Sequence, residues 1–164
     1  MKSLVAYYSW TGNTEVVANE IRQLTGADLK KIEEVKPRKS GIGFAGAALS
    51  AIIGLKSKLK PMDFTLKSYD TVFLGGPIWA SSSAPAMNSY INQADLKGKK
   101  VYLFLTEGDD KIPQKVIDSI TKRIDKRGGK VAGNIFITTK MNSVIAPEAV
   151  KGAVSEWIRK EAIK

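Results

Sequence analysis

The sequence predicts an α/β fold in which five strands form one doubly wound, mostly parallel sheet with helices on both faces. Three observations predict it. Short apolar runs of strand length recur along the chain, each is followed by a stretch whose apolar residues return at helical spacing, and the joins are clusters of Gly, Pro, Ser, Thr and Asn. Strands that alternate with helices imply right-handed crossovers, and crossovers cover a parallel sheet on both faces. A length of 164 residues with 43% hydrophobic content suits one domain over 1–164 with a sizeable core.

Leu4-Val5-Ala6-Tyr7-Tyr8 reads as the first buried strand, and Val17, Ala18, Ile21 and Leu24 as the inner face of the helix that follows. Between them lies Ser9-Trp10-Thr11-Gly12-Asn13-Thr14. The first N–H groups of a helix have no intrahelical partner, and the helix dipole favours an anion beside them. Ser9, Thr11 and Thr14 add hydroxyl donors, Asn13 adds an amide, and Gly12 permits a tight turn and close approach to a ligand. No Lys or Arg lies in the stretch, so it would hold a phosphate by neutral donors. Trp10 reads either as a lid on that phosphate or as a contact for a partner.

Ala27 to Val35 reads as a polar edge strand, where Lys and Glu protect against unwanted pairing. Residues 36–60 differ from their surroundings. Lys36, Arg38, Lys39, Lys56, Lys58 and Lys60 give this stretch a charge of +6 with no acid, around the apolar run from Phe44 to Leu55. It reads as an insertion whose apolar part either packs on the domain or docks on a membrane surface or a partner. Gly41, Gly43 and Gly46 match G-x-G-x-x-G, but they follow a polar strand and a basic Pro-containing loop, so the match is read as accidental. Asp63 to Leu66 reads as a short extended piece.

Asp70 to Gly76 is the second buried strand, stopped by its glycine pair. The loop Pro77-Ile78-Trp79-Ala80-Ser81-Ser82-Ser83 leads to a helix opening near Ala84-Pro85. Val101 to Leu105 is the third buried strand and runs into Thr106-Glu107-Gly108-Asp109-Asp110. Pro113 opens a helix with Val116, Ile117, Ile120 and Ile124 on one face, closed by Gly128-Gly129. Val131 to Thr138 is the last strand, and Pro147 starts a final helix with Val150, Val154, Trp157 and Ile158 inward. Ligands of open parallel sheets bind beyond the carboxyl ends of the strands. Residues 9–14, 77–83 and 106–110 should therefore meet at one edge.

Composition excludes several chemistries. Without cysteine or histidine there is no disulfide, no thiolate or ordinary zinc site, no cysteine nucleophile, no Ser-His-Asp triad and no imidazole base. No metal and no catalytic side chain are expected. The first residues lack the layout of a signal peptide, and no apolar run nears the roughly 20 residues of a membrane span. A soluble, cytoplasmic protein without stable membrane insertion is expected. The net charge of +10 favours acidic partners, with nucleic acid the lesser expectation.

These residues carry a resemblance to the flavodoxin family. Ser9-Trp10-Thr11-Gly12-Asn13-Thr14 is similar to that family's phosphate loop, which pairs hydroxyls with a Gly-Asn-Thr or Gly-Thr-Thr turn and lacks basic residues. Gly75-Gly76-Pro77-Ile78-Trp79 resembles its second flavin loop, where an aromatic often lies against the ring, and Thr106-Glu107-Gly108-Asp109 stands in the place of the third. The resemblance implies a three-layer sandwich with strand order 2-1-3-4-5, for which flavodoxins are a type example. It also implies flavin mononucleotide (FMN) as cofactor, contacted by Ser9 to Thr14, by Pro77, Ile78, Trp79 and Ala80, and by Thr106, Glu107, Gly108 and Asp109. Two features depart from the family. Its small carriers are usually acidic and often set a third-loop aromatic on the outer ring face, whereas this chain is basic and has no aromatic between Thr106 and Lys111.

The function expected from these residues is an FMN-dependent electron carrier working with an acidic redox protein. The alternatives are an NAD(P)H-dependent reductase of quinones or nitro compounds, for which an uncovered ring face would admit a quinone or nicotinamide, and a flavin-binding interaction module without turnover.

Overall fold

The computed structural model describes residues 2–37, 56–108, 114–140 and 142–162. The elements run β1 (Ser3–Tyr7), α1 (Asn13–Thr25), β2 (Asp28–Lys31), β3 (Thr71–Trp79), β4 (Ser82–Ser83), α2 (Pro85–Gln93), β5 (Lys100–Glu107), α3 (Gln114–Asp125), β6 (Lys130–Thr138) and α4 (Pro147–Trp157), which ends in a π-helical turn over Ile158–Ala162. The sheet has six strands in the order β2-β1-β3-β5-β6, with β4 paired to β3 alone. The five long strands keep the expected succession 2-1-3-4-5 among themselves, and the correction is the additional short strand, which shifts the numbering. The five long strands are parallel, and the additional strand is the two-residue antiparallel β4, too short to leave an alternating apolar signature.

Side chains alternate across the sheet as strand geometry requires. Leu4, Val72, Leu74, Val101 and Leu103 face one layer together with Met87 and Tyr90 of α2 and Ile120 and Ile124 of α3. Val5, Tyr7, Phe73, Tyr102 and Phe104 face the other, against Val17 and Ile21 of α1 and Val150, Val154 and Trp157 of α4. Helices thus bury both faces.

The glycine pair does not stop the second buried strand. β3 continues through Gly75 and Gly76 to Trp79, because large side chains press on the backbone where these residues have none. A Cβ on Gly75 would lie 2.0 Å from Cε2 of Phe104, and one on Gly76 would lie 2.9 Å from Sδ of Met87. The expected loop 77–83 is accordingly the end of β3, a two-residue turn and β4. Ala80 and Ser81 occupy that turn with φ of 46° and 58°, the positive values that such a hairpin demands at both central positions. Neither is glycine, so each carries roughly 1–2 kcal/mol of backbone strain.

β2 is shorter than the expected Ala27 to Val35 and ends at Lys31. The chain beyond it makes one further bridge, Glu34 to Leu59. Of the expected insertion over 36–60, residues 38–55 lie outside the described residues, and with them Gly41, Gly43, Gly46 and the apolar run from Phe44 to Leu55. Asp63 to Leu66 forms no strand.

Candidate functional site

The carboxyl ends of β1, β3, β5 and β6 come level at one edge of the sheet. Tyr7 stands beside Gly75, Pro77 beside Thr106, and Glu107 beside Thr138. A cleft of about 210 Å³ opens there, walled by Trp10, Thr11 and Asn13 from the first loop, by Pro77, Ile78, Trp79 and Ala80, and by Thr106, Glu107, Gly108 and Thr139. Ten of the expected site residues thus line one space. Ser9, Gly12 and Thr14 stand behind its wall, and Asp109 lies outside the described residues.

The first loop is held by hydrogen bonds to itself. Gly12, at φ 98°, caps α1, and its N–H donates to Ser9 Oγ at 3.1 Å. Thr11 Oγ1 accepts from Asn13 Nδ2 at 3.2 Å. Each hydroxyl therefore has a lone pair engaged and keeps its own O–H to donate. The first helical N–H to reach a carbonyl is that of Val16, 3.2 Å from Gly12 O, which leaves the N–H groups of Asn13, Thr14 and Glu15 without an intrahelical partner. Hydroxyl and amide donors of this kind fit an anion at the start of α1, and no cation within the loop is needed.

Glu15 adds a negative charge in the first turn of α1. Lys31 offsets it with an ion pair of 2.8 Å, and the Tyr7 hydroxyl donates to the same carboxylate at 2.9 Å. The hydrogen bond from Lys31 is the main cause that holds the Glu15 carboxyl below its ordinary range, with partial burial opposing it and Tyr7 assisting. Burial and the neighbouring Glu15 push the Tyr7 hydroxyl well above its own range, so it remains a donor.

Two expected donors are committed elsewhere. Asn13 is 3% exposed, and its Nδ2 also donates to the carbonyls of Lys140 and Ser143, both at 3.2 Å, while its Oδ1 accepts from Ile145 N at 2.8 Å. It is a stitch between the first loop and the loop after β6. Thr14 Oγ1 lies 2.8 Å from Thr106 Oγ1 in a buried hydrogen bond that joins the first loop to the end of β5. Val144 covers Gly12, with Cγ2 3.2 Å from where a Cβ would stand.

The apolar side of the cleft is a cluster of aromatic rings packed edge to face. Trp79, 5% exposed, meets Tyr8 edge-on at 5.9 Å and Trp10 at 5.4 Å. Trp10 is half-buried and lies toward the opening, so the more accessible indole here is Trp10. Behind the cluster the Tyr8 hydroxyl donates to Glu34 Oε2 at 2.7 Å, and the Ser57 hydroxyl donates to the other oxygen of that buried carboxylate. The strained turn at Ala80 and Ser81 is pinned to α2, where Ser83 Oγ lies 2.6 Å from Asn88 Oδ1.

Thr139 is the lining residue that sequence reasoning missed. Its N–H and hydroxyl both bond the Glu107 carbonyl, at 2.7 and 3.3 Å. Its position just past a parallel strand was the available signal. Among the described residues no cluster of acidic side chains could hold a metal, and no helix is long and apolar enough to cross a membrane.

Comparison with known proteins bears on the family and the fold. A sequence model of the family described as Flavodoxin matches residues 2–157. A flavodoxin from Maridesulfovibrio salexigens is 26% identical over 145 residues, covering 81% of this chain and 82% of that protein. A candidate flavoprotein from Bacteroides eggerthii superposes with a TM-score of 0.75 at 26% identity over 99% of both chains. A flavoprotein from Lactobacillus acidophilus, solved in complex with FMN, superposes with a TM-score of 0.67 at 22% identity over 82% of this chain and 92% of its own.

Proposed function

Since the chain belongs to the flavodoxin family, we propose that it binds FMN in the cleft at the carboxyl edge of the sheet and serves as an electron carrier for an acidic redox protein. The observation that carries the reading is the meeting of neutral donors at the start of α1 with an aromatic wall in one cleft. When bound, FMN supplies one- and two-electron transfer, chemistry for which this chain has no side chain of its own.

Thr11 and the N–H groups at the start of α1 hold the phosphate by donation, with Ser9 bracing the loop through the Gly12 N–H and no counter-cation in it. Trp10, Ile78 and Trp79 exclude water from the apolar side, and their burial favours a flat aromatic ligand. The strained turn at Ala80 and Ser81 fixes the backbone that borders the cleft. Glu107 contributes a carboxylate to the cleft wall, which disfavours added electron density on a neighbouring ligand.

Titration of the purified protein with FMN tests the reading. Saturable uptake, with a band near roughly 450 nm as any oxidised flavin shows, is expected, and a protein that stays colourless refutes it. Mixing the loaded protein with NADPH then separates carrier from reductase. A carrier leaves the band unchanged on the timescale of mixing, whereas rapid bleaching would assign a hydride site and the reductase reading.

A further inference from the structure

The flavin cleft does not end at Trp10. Trp10 also lines an adjoining groove of about 160 Å³, bordered by Tyr8, Ile32 and Glu34 and by Lys31 and Glu33, whose charges are offset by Glu15 and Lys60. Glu34 and Pro37 in turn border a third space of about 350 Å³, walled by Val35, Lys36, Lys56 and Lys58. The three spaces thus adjoin in pairs, with Trp10, Glu34 and Pro37 as the shared walls between the cleft and three lysines.

These lysines differ from the cations around them. Along this side of the sheet Lys2 pairs with Asp28 at 2.9 Å, Lys31 with Glu15 at 2.8 Å and Lys60 with Glu33 at 3.1 Å, while Lys30 donates to the Asp63 carbonyl at 2.8 Å. Lys36, Lys56 and Lys58 are exposed and have no ion pair among the described residues. The carboxylate nearest them, Glu34, is buried and engaged by Tyr8 and Ser57. Between the lysines lies apolar surface, since Val35 is 44% exposed beside Pro37. An apolar centre with a charged rim is the anatomy of a transient protein interface, and the unpaired charges specify the sign of the partner.

We propose that the surface formed by Val35, Lys36, Pro37, Lys56 and Lys58 docks the acidic redox partner, seating it across Trp10 from the flavin. The inference rests on the carrier reading and adds to it the place and charge of the docking face. In each encounter one electron leaves the partner's one-electron centre and enters the flavin. A second encounter, with protons from water, completes a two-electron reduction, and the reverse sequence returns the electrons.

The test uses the FMN-loaded protein and a reduced plant-type [2Fe–2S] ferredoxin chosen for its acidic surface. One variant carries Lys36→Glu, Lys56→Glu and Lys58→Glu. The other carries Lys97→Glu, Lys126→Glu and Lys130→Glu, exposed positions toward the amino ends of the strands that alter the net charge of +10 equally. We expect the first variant to lower the bimolecular electron-transfer rate at low salt by roughly tenfold and to flatten its salt dependence. It should also weaken calorimetric binding of oxidised ferredoxin, while the second variant changes either quantity by less than about twofold. Oxidation of both reduced variants by neutral benzoquinone should match wild type, which shows that the flavin site is intact. Equal effects of the two variants, or none, overturn the docking assignment while leaving the carrier reading in place. Loss of binding to phosphatidylserine vesicles in the first variant, with ferredoxin transfer unchanged, also overturns it and assigns the face to a membrane. A wild-type protein that takes up no FMN refutes the carrier reading itself, before any partner is added.

Discussion

Thr14 and Thr106, 92 residues apart, share a buried hydrogen bond of 2.8 Å that fastens the first loop to the end of β5. Removing one hydroxyl leaves the other buried without its partner. Thr106→Val should therefore destabilise the protein by about 1–3 kcal/mol. The double variant Thr14→Val with Thr106→Val should cost less than the sum of the two single changes. Urea denaturation of the four proteins checks the cycle, and strict additivity would show that the bond contributes nothing.

Asn13 sits at the crossing of two loops with both ends of its amide engaged. Asn13→Ala should lower stability by roughly 2 kcal/mol, since it leaves the carbonyls of Lys140 and Ser143 and the N–H of Ile145 without their partner. Hydrogen exchange should show the Ile145 amide losing protection first. An unchanged rate at that amide would refute the stitch.

Gly75 has no room for a methyl group against the Phe104 ring. Gly75→Ala should destabilise by about 3 kcal/mol or more. Combining it with Phe104→Leu should restore part of the loss, because the smaller side chain frees the space. Thermal unfolding of both variants decides it, and no recovery in the pair would locate the strain elsewhere.

Glu15 has a folded-state carboxyl held below the usual range, chiefly by Lys31. Stability from such a group is fully present above the ordinary carboxylate value of 4.5 and is lost as pH falls through the lower folded value. The side chains of Lys31 and Glu15 are 44% and 38% exposed, so the pair contributes less than about 1 kcal/mol. Glu15→Gln should be slightly less stable than wild type at neutral pH, and the difference should narrow at an acidic pH below 4.5. Denaturation at the two pH values tests the sign.

Glu107 lines the cleft, where its carboxylate would oppose electron uptake by a neighbouring flavin. Glu107→Gln should raise the reduction potential of the FMN-loaded protein, as read by a potentiometric titration. No upward shift would place the carboxylate too far away to matter.

The alternation of strand and helix was plain in the sequence because it depends on local periodicity. The first loop was equally plain, because Ser9 to Thr14 joins an apolar strand to an amphipathic helix. Contacts across the sheet were not. Gly75 and Gly76 looked like punctuation because the pattern of β3 carries no trace of Phe104 and Met87 pressing on it. Asn13 looked like a ligand donor because its partners lie 127 to 132 residues away. Thr139 escaped notice because only the loops after the three most apolar strands were placed at the ligand edge, and β6, though recognised, is only partly buried.

The Asn13 stitch also sets an order of events in the life of the chain. The loop over Ser9 to Thr14 is completed by the carbonyls of Lys140 and Ser143 and the N–H of Ile145, groups that are synthesised 127 to 132 residues after Asn13. A nascent chain that has folded only its amino-terminal strands presents an unfinished cradle. Full-affinity cofactor capture therefore waits until the segment around Lys140 to Ile145 has been made and folded against Asn13.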